Sequence, residues 1–223
     1  MGVEVKICGI TNSEDARAAV AAGADYIGVI VEIEGSPRSV SIDAAQRIIS
    51  SVTAPCVLLL EKQTSDVIEI ARELTPSAVQ LIGRIEYTAI EQLREHIACA
   101  VWKTLQIPQR DCDEGSVPAI NRQLEDYRTA GVDAIVLDTL VQHRGLIKKG
   151  GTGQTCDWNM AHAIVASAAL PIFLAGGITP HNVREAVMAV RPQGIDVSSG
   201  VELRPGKKDP DKIQQLIQTV RAA

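Results

Sequence analysis

A cysteine and an aspartate occupy the two positions from which this sequence could move protons. Cys8 directly follows the predicted strand of residues 3–7, and Asp138 directly follows the apolar run of residues 134–137. If both runs are strands that end at one rim of a sheet, one group can remove a proton while the other donates one. Simpler roles remain open, because most free cysteines are small core residues and a strand-end aspartate can cap a loop or a helix.

Two basic side chains belong to the same candidate site. Lys6 precedes Cys8 by two residues and therefore points to the same face of the strand, where its charge would favour the thiolate. Arg38 follows Ser36-Pro37, and its guanidinium could hold a carboxylate or a phosphate through two parallel hydrogen bonds. A solvated loop charge is the alternative role for Arg38.

Two glycine-rich turns predict a phosphate site. Gly176-Gly177 and Ser198-Ser199-Gly200 follow the seventh and eighth predicted strands, which is where barrels of alternating strands and helices bind phosphate. Glycine lets backbone N–H groups approach an anion closely. Tight turns without a ligand are the alternative. The stretch of residues 142–155 is too long for a simple connector and predicts a lid over the site.

These positions depend on a pattern of strand and helix that repeats eight times. The predicted strands cover residues 3–7, 26–31, 55–60, 77–81, 98–105, 133–137, 170–175 and 194–197. The predicted helices cover residues 11–22, 42–50, 65–74, 88–96, 118–130, 157–167, 180–190 and 209–222, the first one opened by capping-box spacing between Thr11 and Glu14. The pattern predicts a single-domain (β/α)8 TIM barrel spanning residues 1–223, with its active site at the carboxyl ends of the strands. A doubly wound open sheet is the competing arrangement, but it usually carries its main glycine-rich turn after the first strand.

Composition narrows the class of function. A net charge of −5 and a pI near 5.4 argue against binding to nucleic acid or to an anionic membrane. No apolar run approaches the roughly 20 residues that span a bilayer, and the first residues lack the apolar stretch of a secretory signal. Five cysteines without a CxxC pair make a disulfide framework or a metal site unexpected, and they predict a reducing, cytoplasmic location.

Segments along nearly the whole chain resemble, in order, the motifs of the phosphoribosylanthranilate isomerase family. These segments are Lys6-Ile7-Cys8-Gly9-Ile10-Thr11, Ser36-Pro37-Arg38, Leu137-Asp138, Gly150-Gly151-Thr152-Gly153 with Asp157-Trp158, Leu174-Ala175-Gly176-Gly177, Asp196-Val197-Ser198-Ser199-Gly200-Val201-Glu202 and Pro205-Gly206-Lys207-Lys208-Asp209.

The resemblance implies a (β/α)8 barrel of tryptophan biosynthesis. Its reaction is the Amadori rearrangement of N-(5′-phosphoribosyl)anthranilate to 1-(2-carboxyphenylamino)-1-deoxyribulose 5-phosphate. Asp138 would be the general acid that opens the furanose ring, and Cys8, as thiolate, the general base at the second sugar carbon. Arg38 would hold the anthranilate carboxylate, and the two glycine turns would hold the phosphate. The remaining residues expected to bind substrate are Lys6, Gly151 and Gly153.

The resemblance also limits cofactors and partners. The substrate nitrogen acts as the electron sink, so neither a metal nor an organic cofactor is implied. The expected partner is a small phosphorylated substrate, with no nucleic acid and no membrane, and the expected assembly is a monomer or a homodimer.

The sequence departs from the usual residues of the family at four positions expected near the mouth of the barrel. Ile82 replaces a histidine, Val29 and Val31 stand where phenylalanines are usual, and Cys156 replaces a phenylalanine. These departures leave two alternatives, an isomerase acting on another phosphorylated aminosugar and a catalytically silent relative that binds phosphorylated ligands. The presence of the acid, the base and the arginine together argues against the silent relative.

Overall fold

A computed structural model describes residues 2–108, 117–143, 146–149 and 155–223 of the chain. Within these residues, strands and helices alternate. The strands that form the barrel are β1 (Glu4–Ile7), β2 (Tyr26–Val31), β3 (Cys56–Leu60), β4 (Ala78–Leu81), β5 (Ala100–Pro108), β6 (Ala134–His143), β7 (Ile172–Leu174) and β8 (Gly194–Val197). The helices are α1 (Ser13–Ala21), α2 (Ile42–Ile49), α3 (Thr64–Leu74), α4 (Tyr87–His96), α5 (Val117–Thr129), α6 (Trp158–Ser167), α7 (Val183–Val190) and α8 (Pro210–Arg221).

The eight strands close into a ring. β1 pairs in parallel with β8 on one side and with β2 on the other. The remaining strands pair in chain order, also in parallel. All carboxyl ends therefore meet at one rim. The closed ring confirms the predicted (β/α)8 barrel and excludes the open sheet, which would have two unpaired edges.

Apolar side chains pack on both faces of the barrel sheet, in an outer and an inner layer. The outer layer packs the strands against the helices and consists mainly of Val, Ile, Leu and Ala, as expected for a parallel sheet covered by helices. The inner layer contains Tyr26, Trp102 and Phe173, whose ring centroids lie 4.6–5.8 Å apart. Tyr26 is the first residue of β2, so this aromatic cluster lies toward the amino-terminal ends of the strands. The polar side chains of the barrel interior therefore lie toward the carboxyl ends of the strands.

The helices form the outer shell of the barrel. α8 illustrates how, because its buried residues recur on one helical face; they are Ile213, Leu216, Ile217 and Val220. Arg221, at the end of α8, donates to the carbonyl of Val3 at 2.6 Å and to the carboxylate of Asp25 at 2.7 Å. In the described part of the chain, no helix combines the length and the apolar character needed to cross a membrane.

The N-cap of the first helix lies one residue later than predicted. α1 starts at Ser13, and its N-cap is Asn12, whose side-chain oxygen accepts from the N–H of Asp15 at 2.9 Å. Thr11 instead donates its hydroxyl to the carbonyl of Gly206 at 2.6 Å. The predicted capping box is therefore wrong. Asparagine caps a helix as well as threonine does, and Thr11 is engaged in a tertiary contact that local spacing does not reveal.

β5 and β6 are longer than the sequence predicts. β5 runs to Pro108 and β6 to His143, and the segment Leu146–Lys149 pairs in antiparallel fashion with the end of β6. Part of the predicted lid is therefore a hairpin. Strand pairing uses the backbone N–H and C=O groups and does not require apolar side chains. The polar composition of this segment therefore gave no indication of a hairpin. Gly151 and Gly153, also in the predicted lid, lie outside the described residues.

A second unpredicted hairpin follows β8. Its strands are Glu202–Arg204 and Lys207–Lys208, and we refer to it as the β8 hairpin. Asp15 of α1 ties it down, because its carboxylate accepts from the ammonium of Lys207 at 2.6 Å and from the N–H of Lys208 at 2.8 Å. Strands this short carry no periodic pattern, which explains why the sequence did not indicate them. The hairpin packs against the loop that follows β1, where Thr11 donates to the carbonyl of Gly206.

Candidate active site

Cys8 lies at the carboxyl end of β1 in the mouth of the barrel. Its N–H donates to the carbonyl of Val197 at 2.8 Å, which extends the β1–β8 ladder by one residue. A Cβ on Gly28 of β2 would lie 2.9 Å from the cysteine Sγ, closer than ordinary contact. The thiol therefore occupies a space that exists because residue 28 has no side chain. Cys8 is only 5% exposed.

Lys6 and Asp196 form a buried ion pair next to the cysteine. Lys6 Nζ lies 3.0 Å from Asp196 Oδ1, and the two side chains are 0% and 7% exposed. The strand register produces the pair, because the two residues are direct partners in the β1–β8 ladder. Burial lowers the pKa of Lys6, but the charges of Asp196 and Cys8 more than offset it and leave that pKa raised. Lys6 therefore stays charged, with its ammonium on Asp196.

Burial raises the pKa of the Cys8 thiol above its ordinary value of 9.0, and the charge of Asp196 raises it further. The charges of Lys6 and Lys208 act in the opposite direction without cancelling these effects. The influence of Lys6 on the pKa of Cys8 thus has the predicted sign, although burial and the charge of Asp196 outweigh it. At neutral pH Cys8 is therefore mainly a thiol, and its thiolate is a correspondingly stronger base.

Asp138 carries its carboxyl group near the carboxyl rim of the barrel. One of its oxygens accepts from the N–H of Thr139 at 2.8 Å. Burial raises the pKa of Asp138 to about 6; Asp196 adds to the shift, whereas the Thr139 N–H and Lys6 oppose it. A carboxyl group with this pKa carries a proton part of the time at neutral pH and can pass it on. Asp138 and Cys8 thus share two charged neighbours.

Arg38 is held on the rim by a carboxylate from the β8 hairpin. Its Nε donates to Glu202 Oε1 at 2.8 Å, and its Nη2 donates to Glu202 Oε2 at 2.7 Å. Lys208 Nζ donates to the same Oε1 at 3.0 Å and to the carbonyl of Ser198 at 3.1 Å. A Cβ on Gly9 would lie 2.7 Å from Arg38 Cδ, so the arginine stem crosses directly over the loop that follows Cys8.

The two glycine-rich turns lie against each other at the ends of β7 and β8. A Cβ on Gly200 would overlap the carbonyl oxygen of Ile178, so the turns touch through bare backbone. The N–H groups of Gly176 and Gly177 donate no hydrogen bond within the described residues. The buried hydroxyl of Ser198 has no partner there either. Donors of this kind are what a bound anion requires.

Two of the departures from the family pattern do not lie at the mouth as expected. Val29 and Val31 are fully buried in the outer layer of the core, so the expectation is wrong for these two residues. Cys156 is also buried; burial raises the pKa of its thiol and the charge of Asp138 raises it further, which places Cys156 near that carboxyl group. Successive residues of a strand point to opposite faces, so Val29 and Val31 point outward when Gly28 points inward. Ile82 does line a cavity of about 390 Å³ at the ends of β4 and β5.

Three charged residues of the rim received no role from their sequence pattern. They are Asp196, Glu202 and Lys208. A buried lysine needs a counter-ion, so Lys6 was the signal that could have found Asp196. Glu202 and Lys208 lie in segments that resemble the family, but their local pattern gave them no role, because tertiary contacts define the hairpin that carries them. Among the described residues there is no group of three or more His, Cys, Asp or Glu side chains that could hold a metal ion.

A thiol, a carboxyl group of raised pKa and an arginine on the rim of a closed barrel define a class of protein. It is a (β/α)8 barrel equipped for acid–base chemistry on a small anionic ligand. The family follows from comparison with known proteins. The family model described as N-(5′-phosphoribosyl)anthranilate (PRA) isomerase matches residues 5–219, and the chain belongs to that family.

Individual relatives agree with this assignment over nearly their full length. The N-(5′-phosphoribosyl)anthranilate isomerase of Methanocella arvoryzae is 40% identical over 221 residues, which is 97% of each chain. Monomers of the dimeric phosphoribosylanthranilate isomerase from Thermotoga maritima have a similar structure, with a TM-score of 0.81, 33% identity, and coverage of 99% of this chain and 100% of that one. A phosphoribosylanthranilate isomerase in complex with reduced 1-(o-carboxyphenylamino)-1-deoxyribulose 5-phosphate has a TM-score of 0.80, 31% identity and the same coverage.

Proposed function

We propose that the chain catalyses the Amadori rearrangement of N-(5′-phosphoribosyl)anthranilate to 1-(2-carboxyphenylamino)-1-deoxyribulose 5-phosphate, a step of tryptophan biosynthesis. Membership of the family supports the reaction. The observation that carries the roles of the residues is the placement of Asp138, with a pKa of about 6, on the same rim as Cys8. A family member is seen with a reduced form of this product bound.

Asp138 is the general acid of the first step. Its proton passes to the furanose ring oxygen as the bond between that oxygen and C1 breaks. The lone pair of the anthranilate nitrogen forms the C1–N double bond, which gives an open-chain Schiff base. The carboxylate left on Asp138 is stabilised by the Thr139 N–H, 2.8 Å away, and by the charge of Lys6. A pKa near neutrality suits an acid that must be reprotonated in each cycle.

Cys8, as thiolate, is the general base of the second step. It removes the proton from C2, the C1–C2 double bond forms, and the electron pair of the C1–N bond returns to nitrogen. The enolamine then gains a proton at C1 and loses the one on its C2 hydroxyl, which yields the ketone. Substrate and product have the same atoms and electrons. The charges of Lys6 and Lys208 favour the thiolate that this step requires.

The two ends of the substrate are held by different parts of the rim. Arg38 binds the anthranilate carboxylate, and the 5′-phosphate binds to the two glycine turns, whose predicted contact residues are Gly176, Gly177, Ser198, Ser199 and Gly200. Lys6 stays a predicted substrate-binding residue; it is fully buried, and we propose that it also acts on Cys8 through its charge. Gly151 and Gly153 stay predicted substrate-binding residues.

We further propose a cytoplasmic location and a monomeric or homodimeric assembly, with neither nucleic acid nor membrane as partner. The cysteine pattern and the acidic charge support the location. A dimeric relative from Thermotoga maritima supports the homodimer as one of the two assemblies.

The reaction is tested with freshly prepared N-(5′-phosphoribosyl)anthranilate. Purified protein should change the fluorescence of the anthranilate group in proportion to enzyme concentration, and mass spectrometry should detect a product of unchanged mass that carries a ketone. Absence of turnover would contradict the proposal. Direct binding of inorganic phosphate, measured by calorimetry, together with assays on other phosphorylated aminosugars would then separate the alternatives: an isomerase of another aminosugar would turn one of them over, whereas a silent relative would bind phosphate and turn over none.

A further inference from the structure

Glu202 of the β8 hairpin connects the two ends of the proposed substrate site. Its carboxylate accepts from Arg38 Nε and Nη2 at 2.8 and 2.7 Å and from Lys208 Nζ at 3.0 Å. The same ammonium of Lys208 donates to the carbonyl of Ser198, in the β8 turn, at 3.1 Å. One buried carboxylate therefore contacts the arginine of the aryl end and, through one lysine, the turn of the phosphate end.

The geometry of the arginine leaves one edge available. A guanidinium has a side edge formed by Nε and Nη2 and an end edge formed by Nη1 and Nη2. Glu202 occupies the side edge, and Nη1 has no acceptor within the described residues. The two hydrogen bonds to Glu202 restrict rotation of the planar guanidinium, and they therefore also fix the direction in which its end edge points. The end edge is therefore oriented before any ligand arrives, which reduces the entropy lost on binding.

The charges of the cluster fit an anionic ligand. Burial lowers the pKa of Lys208, and the charge of Glu202 opposes that shift. With Arg38 and Lys208 both charged, they contribute two positive charges and Glu202 one negative charge, so a single positive charge remains. The pKa of Glu202 is lowered, because the hydrogen bonds and charges of Arg38 and Lys208 outweigh the effect of burial. The carboxylate therefore stays ionised across the neutral range, and the remaining positive charge matches the single negative charge of one aryl carboxylate.

We propose that Glu202 is a positioning residue that fixes the end edge of Arg38 for the carboxylate of the substrate and, through Lys208, keeps that edge in register with the phosphate turn. This inference rests on the proposed function, because it requires a substrate with an anion at each end. A merely structural role would stabilise the β8 hairpin without depending on the guanidinium of Arg38.

The test is a double-mutant cycle with N-(5′-phosphoribosyl)anthranilate as substrate. KM and kcat are measured for the unmodified protein, Glu202→Gln, Arg38→Ala and the variant carrying both changes. Glu202→Gln should raise KM by about tenfold and change kcat much less, because it disturbs a charge-assisted bond used in binding. In the Arg38→Ala background the same change should alter KM by less than about twofold, because residues that act through one another are not additive.

Controls separate positioning from loss of fold. Arg204→Gln removes a charge from an exposed residue of the same hairpin and should leave KM unchanged. If Glu202→Gln lowers the melting temperature strongly, the cycle is run with Glu202→Asp, which keeps the charge but shortens the side chain by one carbon and should weaken the paired hydrogen bonds to Arg38. Equal fold-changes in KM in both backgrounds would overturn the inference while leaving the proposed function intact. Absence of turnover by the unmodified protein would overturn both.

Discussion

The ammonium of Lys6 lies 3.0 Å from the carboxylate of Asp196, on neighbouring strands and on the strand face that also carries Cys8. The negative charge of Asp196 raises the pKa of both Cys8 and Asp138, and the positive charge of Lys6 lowers both. One buried ion pair therefore acts on the proposed base and the proposed acid together. The balance between its two charges decides how much of the protein is in the reactive protonation state.

The pH dependence of kcat/KM should have a broad plateau. The reactive form needs a protonated Asp138, whose pKa is about 6, and an ionised Cys8, whose pKa lies above 9.0. The fraction of the protein in this form rises with pH up to the pKa of Asp138. Above it the fraction stays level, because the gain in Cys8 thiolate balances the loss of protonated Asp138. It falls once Cys8 itself ionises. A steady decline directly above pH 6 would contradict these protonation states, and circular dichroism at each pH controls for unfolding.

Asp196→Asn should lower the pKa of both groups. The substitution removes the charge that raises them and leaves Lys6 without its counter-ion. The acid limb of the kcat/KM profile should move below pH 6, and alkylation of Cys8 by iodoacetamide at pH 8, located by mass spectrometry, should become faster. The exposed substitution Asp211→Asn serves as the control and should change neither quantity. Slower or unchanged alkylation in Asp196→Asn would show that the pair does not act on the thiol.

Gly28→Ala should impair catalysis more than folding. The added Cβ would lie 2.9 Å from Cys8 Sγ and 3.1 Å from Lys6 Cε, so the thiol must shift within the mouth. Displacing a catalytic group by a fraction of an ångström should lower kcat/KM by roughly 10- to 100-fold. Gly2→Ala is the matched control, because nothing lies within 4 Å of the Cβ it would add. Unchanged kcat/KM in Gly28→Ala would mean that the position of the thiol does not limit the reaction.

Ser198→Ala should weaken phosphate binding without destabilising the fold. The Ser198 hydroxyl is buried and has no partner within the described residues, and an unsatisfied buried hydroxyl costs about 1–3 kcal/mol of stability. Its removal should leave the melting temperature equal or higher while raising KM and the inhibition constant for inorganic phosphate. Ser65→Ala, on an exposed surface, is the control. Unchanged phosphate inhibition would place the anion elsewhere.

The sequence predicted the features of this protein that depend on local pattern. Alternating apolar strands and amphipathic helices indicated the barrel, and the positions of Cys8 and Asp138 at the ends of predicted strands singled them out. Features that depend on register between distant strands were not predicted. The pairing of Lys6 with Asp196 requires the ring to close between β1 and β8.

The position of Arg38 shows the same limit. Its sequence context suggested a carboxylate or phosphate partner, and the structure shows that Glu202, 164 residues away in the chain, already holds one edge. The hairpin that carries Glu202 is fastened by Asp15 and Thr11, residues that look like ordinary helix-start residues in the sequence. Tertiary competition for these side chains is also why the predicted capping box is wrong.

The central claim is that Cys8 and Asp138 are the base and the acid of one isomerisation. The measurement that tests it most directly is the steady-state kcat of Cys8→Ser and of Asp138→Asn with N-(5′-phosphoribosyl)anthranilate as substrate. Each variant is first verified as folded by circular dichroism. Each variant should lose roughly 10²- to 10⁴-fold in kcat, the usual contribution of a positioned acid or base, while still binding inorganic phosphate. Turnover at the rate of the unmodified protein in either folded variant would contradict the claim.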